Sequence, residues 1–403
     1  MELFNIVLNI IAIILGYLMG SINPGYIFGR LKGVDIRKVG TCNAGTKNVY
    51  HTLGAAYAAP TAIYDTLKGL LAMFIAFLLG AEFIIIQICG LMAIVGHIFP
   101  FYLKFNGGQG VATATGIMLV YLVIYLLNVR WLDFLVFIIF CLILVAIFKY
   151  VTNVDEFLSI IVLPLLGFYV YLEFPGNPYN FFLWIIIAHI CIVGVYNIIN
   201  QKLITIEDEE FKTHLWRLIA RPFAVLFIIF HYFFDQLISL TIIGIVTLCF
   251  IAMDLSKIIS KSTQEVLTKR IKSIFRKGEE DRFSSMTAFL VASFIVMLVF
   301  KKEIAITALT FTVFGDIFSK IFGLGFGRHK IFDKTLEGSL AYFGCVLICW
   351  YVLTHTLNLS TYIILIGAIS APLIEIISIR VNDNFTVPLI SAVVMEVGRV
   401  FGL

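Results

Sequence analysis

Long apolar runs decide what this chain can become. Stretches of about 17–25 apolar residues follow one another along the whole length, and that is the length of helix that crosses a hydrocarbon core. The runs are continuous rather than alternating, so they read as helices and not as strands of a barrel. Spans fall near residues 3–29, 52–80, 83–103, 111–129, 131–150, 157–174 and 181–200, then near 222–239, 240–258, 285–300, 303–323, 339–358, 361–381 and 386–402. The expectation is an all-α polytopic membrane protein, two fused helical bundles with about fourteen transmembrane helices. Only 13% of the residues are charged, against about 25% in soluble domains, so no soluble domain of any size has room.

Two polar segments punctuate the runs. Residues 201–222 read as the linker between a first module, 1–200, and a second, 223–403. Residues 256–282 are rich in basic side chains, which assigns them to the cytoplasmic side, and Ile258, Ile259, Val266, Leu267, Ile271, Ile274 and Phe275 give them the apolar face of an interfacial helix. The formal net charge of +4 is a topology signal of such loops and not a sign of nucleic-acid binding. Seven scattered cysteines without a C-x-x-C pair imply no disulfide framework. The first apolar run lacks a basic leader and a small-residue cleavage site, so it reads as a retained helix. An integral protein of the plasma or inner membrane with cytoplasm-facing sites is expected.

The densest polar island lies at residues 315–341, GDIFSKIFGLGFGRHKIFDKTLEGSLA. Charge inside a membrane protein is costly and usually marks function or a loop. Asp316, near the end of an apolar run, suits Mg²⁺, and Ser319 follows one turn on. Gly323, Gly325 and Gly327 free the backbone to approach phosphate, and Arg328, His329, Lys330 and Lys334 supply cations. Thr335 or Ser339 reads as the N-cap of a new helix. Glu337 would hold a metal or take the proton of a lipid hydroxyl. Further on, Glu375 falls within an apolar run, and Asp383-Asn384 forms a short break that would complete a metal site with Asp316. No Walker A or kinase glycine loop occurs.

The first module has its own polar pattern. Residues 20–54 leave a helix on glycines, carry Asp35, Arg37 and Lys38, and present a Gly/Thr/Asn/Lys loop suited to an anion, with Thr41, Thr46 and Lys47 as added donors. Asp65 and Lys68 stand three apart on one helical face, a spacing that lets them pair. Lys104 precedes Gly107-Gly108-Gln109-Gly110, a glycine turn that opens an apolar run.

These segments, in this order, resemble the bacterial acyl-phosphate:glycerol-3-phosphate acyltransferase family over about residues 1–200. The matches are Gly20-Ser21-Ile22 with Gly25, Asp35-Ile36-Arg37, the loop positions Gly40, Asn43, Gly45 and Asn48, then Asp65 with Lys68-Gly69, Gly96-His97 with Phe99-Pro100, Lys104-Phe105, and Gly107-Gly108 with Gly110 through Thr113. The resemblance implies a cytoplasmic-face site where acyl phosphate meets glycerol 3-phosphate without a metal. Its residues would be Ser21, Arg37, Thr41, Asn43, Lys47, Lys68, Lys104, Gly107, Gly108, Gly110 and Asn197. The chain departs from the pattern at Thr41 for serine, Cys42 for glycine, Lys47 for threonine, His51 for arginine and Gln109 for lysine. Val193-Gly194-Val195 replaces Arg-His-Arg ahead of Asn197-Ile198. Each lost charge-assisted donor to phosphate is worth about 1.5–3 kcal/mol. Weak turnover is therefore expected, with Lys47 restoring one charge, and the module would take a less anionic ligand or serve as a scaffold.

The second module resembles the CTP-dependent lipid-alcohol kinases (dolichol, phytol and diacylglycerol kinases), which are related to phosphatidate cytidylyltransferases. The matches are Asp316, Ser319, Gly323, Gly327, Lys330-Ile331, Lys334-Thr335, Glu337-Gly338-Ser339, and Asp383-Asn384 with Thr386 and Pro388. An earlier family pattern survives only as Arg217, with Leu218 and Arg221 at its other positions. The resemblance implies phosphoryl transfer from CTP, a nucleoside triphosphate, to a lipid alcohol. Asp316, Glu337, Lys330 and Lys334 would be catalytic, Ser319, Gly323, Gly327, Thr335 and Ser339 phosphate-binding, and Asp316 with Asp383 would hold Mg²⁺. The expected protein is thus a bifunctional-type enzyme of membrane lipid metabolism. One alternative is an active acyltransferase whose kinase-like partner domain has another specificity. Another is a lipid transporter or flippase, which calls for inverted repeats, whereas the two halves carry unrelated motifs.

Overall fold

The computed structural model describes residues 2–201, 222–259, 282–377 and 382–403. Nearly all of the expected linker at 201–222 and most of the expected interfacial helix at 256–282 lie outside the described residues, as does Arg217. The chain divides into two compact units, Met1–Ile143 with Val154–Leu203, and Leu144–Asn153 with Ile204–Leu403.

In the first unit, α1 (Glu2–Ser21) is followed by α2 (Pro24–Leu31), α3 (Thr46–Leu53), α4 (Ala55–Leu78), α5 (Phe83–Ile98), α6 (Val111–Leu126), α7 (Trp131–Thr152, whose part from Leu144 on belongs to the second unit), α8 (Asp155–Glu173) and α9 (Tyr179–Asn200). The expected single span at 3–29 is two helices. Asn23 interrupts it, accepting the Tyr26 N–H at 2.8 Å through Oδ1, and Pro24 opens α2 with its φ already set. The expected span at 52–80 likewise begins only at Ala55, because Gly54 at φ +90° ends α3. Helices α1 and α5 pack so closely that a Cβ on Gly20 would stand 2.1 Å from the Ala93 carbonyl. Small residues at such crossings are how membrane helices gain contact where burial from water contributes little.

The second unit contains α10 (Pro222–Phe233), α11 (Gln236–Ile259), α12 (Ser285–Val299), α13 (Lys302–Phe326), α14 (Leu336–Thr356), α15 (Thr361–Ile376) and α16 (Asp383–Val400). Helix α13 is its axis: Ile304, Ala305, Ala308 and Leu309 pack against Leu290, Val296, Met297 and Met395, while Phe311 meets Tyr342, Val346, Ile364 and Ala368. Two strands, β1 (Lys330–Ile331) and β2 (Lys334–Thr335), pair antiparallel in a small hairpin between α13 and α14. Thr335 is the N-cap of α14, accepting the Gly338 N–H at 3.2 Å.

Among the described residues, nine helices are long and apolar enough to cross a membrane, and four shorter apolar helices accompany them. Helix α16, where the last span was expected, also carries Asp383, Glu396 and Arg399. The protein is an all-α polytopic integral membrane protein.

Candidate functional site

In the first unit the expected anion site is largely tied up by its own residues. Lys68 is fully buried: its Nζ donates to Asp65 Oδ1 at 2.8 Å and to the Ile22 carbonyl at 3.2 Å, and lies 2.5 Å from His97 Nδ1. Asp65 and His97 are buried with it, 1% and 2% exposed. The glycine turn closes over this cluster, since a Cβ on Gly108 would meet His97 Nε2 at 2.1 Å. Thus Lys68, Gly107 and Gly108 are brought together as packing around His97, and the ammonium is not presented to a ligand.

Arg37 is used in the same way. It holds Asp35 at 3.0 Å and donates to the Leu103 carbonyl at 3.0 Å and the Asn106 carbonyl at 3.2 Å, bracing one loop against the other. The hydrogen bond from Arg37 lowers the Asp35 carboxyl to about 2, and the same bond raises the guanidinium further. Ser21 donates to the Tyr17 carbonyl within α1 at 2.9 Å. Asn48 knots the loop: its amide donates to the Ile36, Val39 and Asn43 carbonyls and accepts the Thr41 N–H at 2.9 Å. Sequence reasoning matched Asn48 and His97 to a motif but gave them no role, and their many partners appear only in three dimensions. Thr41, Lys47 and Lys104 are exposed, Asn43 is half-buried, and Gly110 at φ +74° starts α6. Gln109 and Asn197 bond to each other, Gln109 Nε2 to Asn197 Oδ1 at 2.5 Å and the reverse at 3.3 Å.

The second unit contains a cavity of about 420 Å³ lined by Asp316, Ser319, Lys320, Gly323, Leu324, Asp333, Lys334, Thr335, Ile374, Glu375, Ile377, Asp383 and Thr386. Helix α13 contributes its polar C-terminal turns, the hairpin contributes Asp333 to Thr335, the last turn of α15 contributes Ile374 and Glu375, and α16 begins at Asp383. Asp316 pairs with Lys320 at 2.8 Å, one turn apart. Lys334 reaches Glu375 at 2.5 Å and Asp383 at 3.3 Å. Six residues singled out from sequence therefore share one cavity: Asp316, Ser319, Gly323, Lys334, Thr335 and Asp383. Lys320, Asp333, Glu375 and Thr386 were not assigned there. The signals were present in Lys320 at four residues from Asp316, in Glu375 as a lone acid in an apolar run, and in Thr386 within the Asp-Asn motif.

Four expected residues lie off the cavity wall. Glu337 is 2% exposed and accepts the Arg328 N–H at 3.0 Å, the His329 N–H at 3.2 Å and His329 Nδ1 at 2.7 Å. Its carboxylate shapes the turn leading into the hairpin. Lys330 is exposed on β1, Ser339 is buried in α14, and Gly327 ends α13 where a Cβ would meet the Gly323 carbonyl at 2.2 Å.

The cavity wall is connected to a second buried pair. Asp254 on α11 is held by Lys257 at 3.1 Å and accepts the Ser284 N–H at 2.7 Å and Thr287 Oγ1 at 2.6 Å. Neighbouring Ser285 receives Asn382 Nδ2 at 3.1 Å, and Asn382 caps the helix that carries Asp383.

The family model for glycerol-3-phosphate acyltransferase matches residues 10–203. The glycerol-3-phosphate acyltransferase of Trichlorobacter lovleyi is 34% identical over 196 residues, covering 49% of this chain and 94% of that one. The chain belongs to the glycerol-3-phosphate acyltransferase family. The family's model ends at residue 203, so membership describes the first unit. The glycerol-3-phosphate acyltransferases of Rubrobacter xylanophilus and Bacillus subtilis are each 44% identical, over 109 and 110 residues, covering 27% of this chain. The chain spans little more than half of these two relatives, 55% and 56%. A crystal structure of an integral membrane glycerol 3-phosphate acyltransferase in its glycerol 3-phosphate form is 28% identical, covering 48% of this chain and 92% of that one at a TM-score of 0.39.

Proposed function

We propose that this protein is a membrane lipid enzyme whose second unit transfers the terminal phosphoryl group of CTP to a lipid alcohol. Its first unit would keep the acyltransferase family's fold with little of the family's turnover. The observation that carries the reading is the shared cavity, where Asp316, Ser319, Lys334, Thr335 and Asp383 meet although up to 67 positions separate Asp316 from Asp383. Phosphoryl transfer asks for metal, cations and positioning rather than covalent chemistry, and the wall offers carboxylates, lysines and hydroxyls.

The cavity's charge supports a divalent cation beside the nucleotide. Four carboxylates (Asp316, Asp333, Glu375, Asp383) face two lysines (Lys320, Lys334), an excess of negative charge that repels a bare triphosphate. Among the described residues no three His, Cys, Asp or Glu side chains form a ready metal cage. Mg²⁺ does not need one, since one or two carboxylates plus substrate phosphates commonly suffice. Asp316 and Asp383, hard oxygen donors on opposite helices, would hold it. Bound Mg²⁺ would neutralise phosphate charge. Lys320 and Lys334 are the cations for phosphate oxygens, and Ser319 and Thr335 are neutral donors beside them. The exposed Leu324 and Ile377 on the same wall suit the hydrocarbon part of an acceptor.

In the first unit the reading rests on closed interactions. Lys68 and Arg37 are committed to protein partners, and Gln109, at the position where the family pattern has a lysine, is bonded to Asn197. Acyl phosphate and glycerol 3-phosphate would therefore be poor substrates.

Purified protein in nanodiscs, given labelled CTP, Mg²⁺ and separately dolichol, phytol, geranylgeraniol and diacylglycerol, is expected to label one lipid. Asp316→Asn should abolish that label. Absence of label on every alcohol would reject the kinase assignment.

A further inference from the structure

We propose that Glu375 is the base that takes the proton of the lipid hydroxyl, an inference that rests on the kinase reading above and names the acceptor side of the same site. Glu375 lies in the last turn of α15, is 5% exposed and lines the cavity. Its Oε1 is occupied by Lys334 Nζ at 2.5 Å and Ser319 Oγ at 3.2 Å, whereas its Oε2 is buried and has no hydrogen-bond partner among the described residues. A buried carboxylate oxygen left unsatisfied is costly, and a donor supplied by a ligand removes the cost. Lys334 and Ser319 both bind Oε1 and so fix the orientation of the carboxylate, leaving Oε2 for a ligand's donor.

The neighbours say which donor. Glu375 follows Ile374, and both line the cavity together with the apolar Leu324 and Ile377, which are 51% and 61% exposed. A hydroxyl carried on a hydrocarbon chain is the group that meets an acid in such a setting. Asp333 is exposed on the hairpin, and the remaining acids are differently engaged. Asp316 pairs with Lys320 at 2.8 Å, Asp383 accepts its neighbour's Asn384 N–H at 2.9 Å and Lys334 at 3.3 Å, and Glu337 is turned into the hairpin turn.

The step balances as follows. The hydroxyl oxygen forms a bond to the terminal phosphorus of CTP while its proton passes to Glu375 Oε2. The bond from that phosphorus to the bridging oxygen breaks, and CDP leaves with the electron pair. Glu375 returns the proton to water once the phosphorylated lipid departs.

The experiment compares wild type, Glu375→Gln and Glu375→Asp in nanodiscs, reading alcohol-dependent CDP formation against pH and, separately, the binding of labelled CTP. General-base removal is worth about 10²–10⁴-fold. Glu375→Gln should lose alcohol-dependent CDP formation by that order and bind CTP within about twofold of wild type, and its residual rate should lack the acid limb of the wild-type kcat profile. Glu375→Asp, which keeps the carboxylate, should fold and regain part of the rate with that limb restored. A Gln variant with near-wild-type turnover overturns the proposal, as does equal loss of CTP binding in both variants. Wild type that forms no CDP with any alcohol would instead overturn the kinase reading, and the base with it.

Discussion

Gln109 and Asn197 exchange both of their amide hydrogen bonds across 88 positions of sequence. Two neutral groups satisfy each other where the family pattern would set a lysine. That closure predicts the effect of Gln109→Lys, which breaks the pair and returns a cation. One charge-assisted bond to phosphate, about 1.5–3 kcal/mol, corresponds to roughly ten- to hundredfold in rate. Lysophosphatidate formation from acyl phosphate and glycerol 3-phosphate, expected to be low in wild type, should rise by up to that amount. Robust turnover by wild type would show that the missing cations are not needed.

Lys68 has a structural job with a large penalty for its loss. Lys68→Met leaves Asp65 charged and enclosed, and breaking one side of a buried pair costs about 3–5 kcal/mol. Thermal unfolding in detergent should show a marked drop for Lys68→Met and a smaller one for the double variant Asp65→Asn/Lys68→Met. Equal losses would mean that packing, not charge, governs the site.

Asp316 and Glu337 should separate chemistry from scaffold. Asp316→Asn is expected to abolish lipid labelling with little change in unfolding temperature. Glu337→Ala removes the buried carboxylate that accepts from the Arg328 and His329 N–H groups, and hydrogen bonds to a charged group contribute about 1.5–3 kcal/mol. It should lower the unfolding temperature and leave measurable turnover. Full loss of activity in a stable Glu337→Ala variant would restore Glu337 to the chemistry.

Asp35 gives a pH signature. Its carboxyl is lowered to about 2 by the Arg37 hydrogen bond, so its contribution is complete above the unfolded value of about 3.9 and is lost as pH falls toward 2. The stability difference between wild type and Asp35→Asn should be flat between about pH 5 and 8 and shrink in more acid solution. A difference that grows on acidification would contradict the assignment.

The helices were legible because their signal is local: an apolar run of membrane length needs no partner to be recognised. The breaks at Asn23 and Gly54 were not, since a cap and a single positive φ decide them. In the cavity, Asp316, Lys334 and Asp383 could be named from their motifs. Glu375 could not, because its role comes from which helix end it meets. Lys68 and Glu337 look like site residues in sequence, where a charge beside glycines has the same appearance whether it turns inward or outward. Only their hydrogen-bond partners distinguish the two.

The Asp65–Lys68 and Asp254–Lys257 pairs share a spacing of three residues, and this bears on biogenesis. Each pair is complete within one helix, so the segment enters the bilayer as a neutral dipole rather than as two stranded charges. The lysine retains spare protons after pairing, and they go to the Ile22 and Arg282 carbonyls. The group that makes the helix insertable thereby becomes the latch that fixes its place when the bundle assembles.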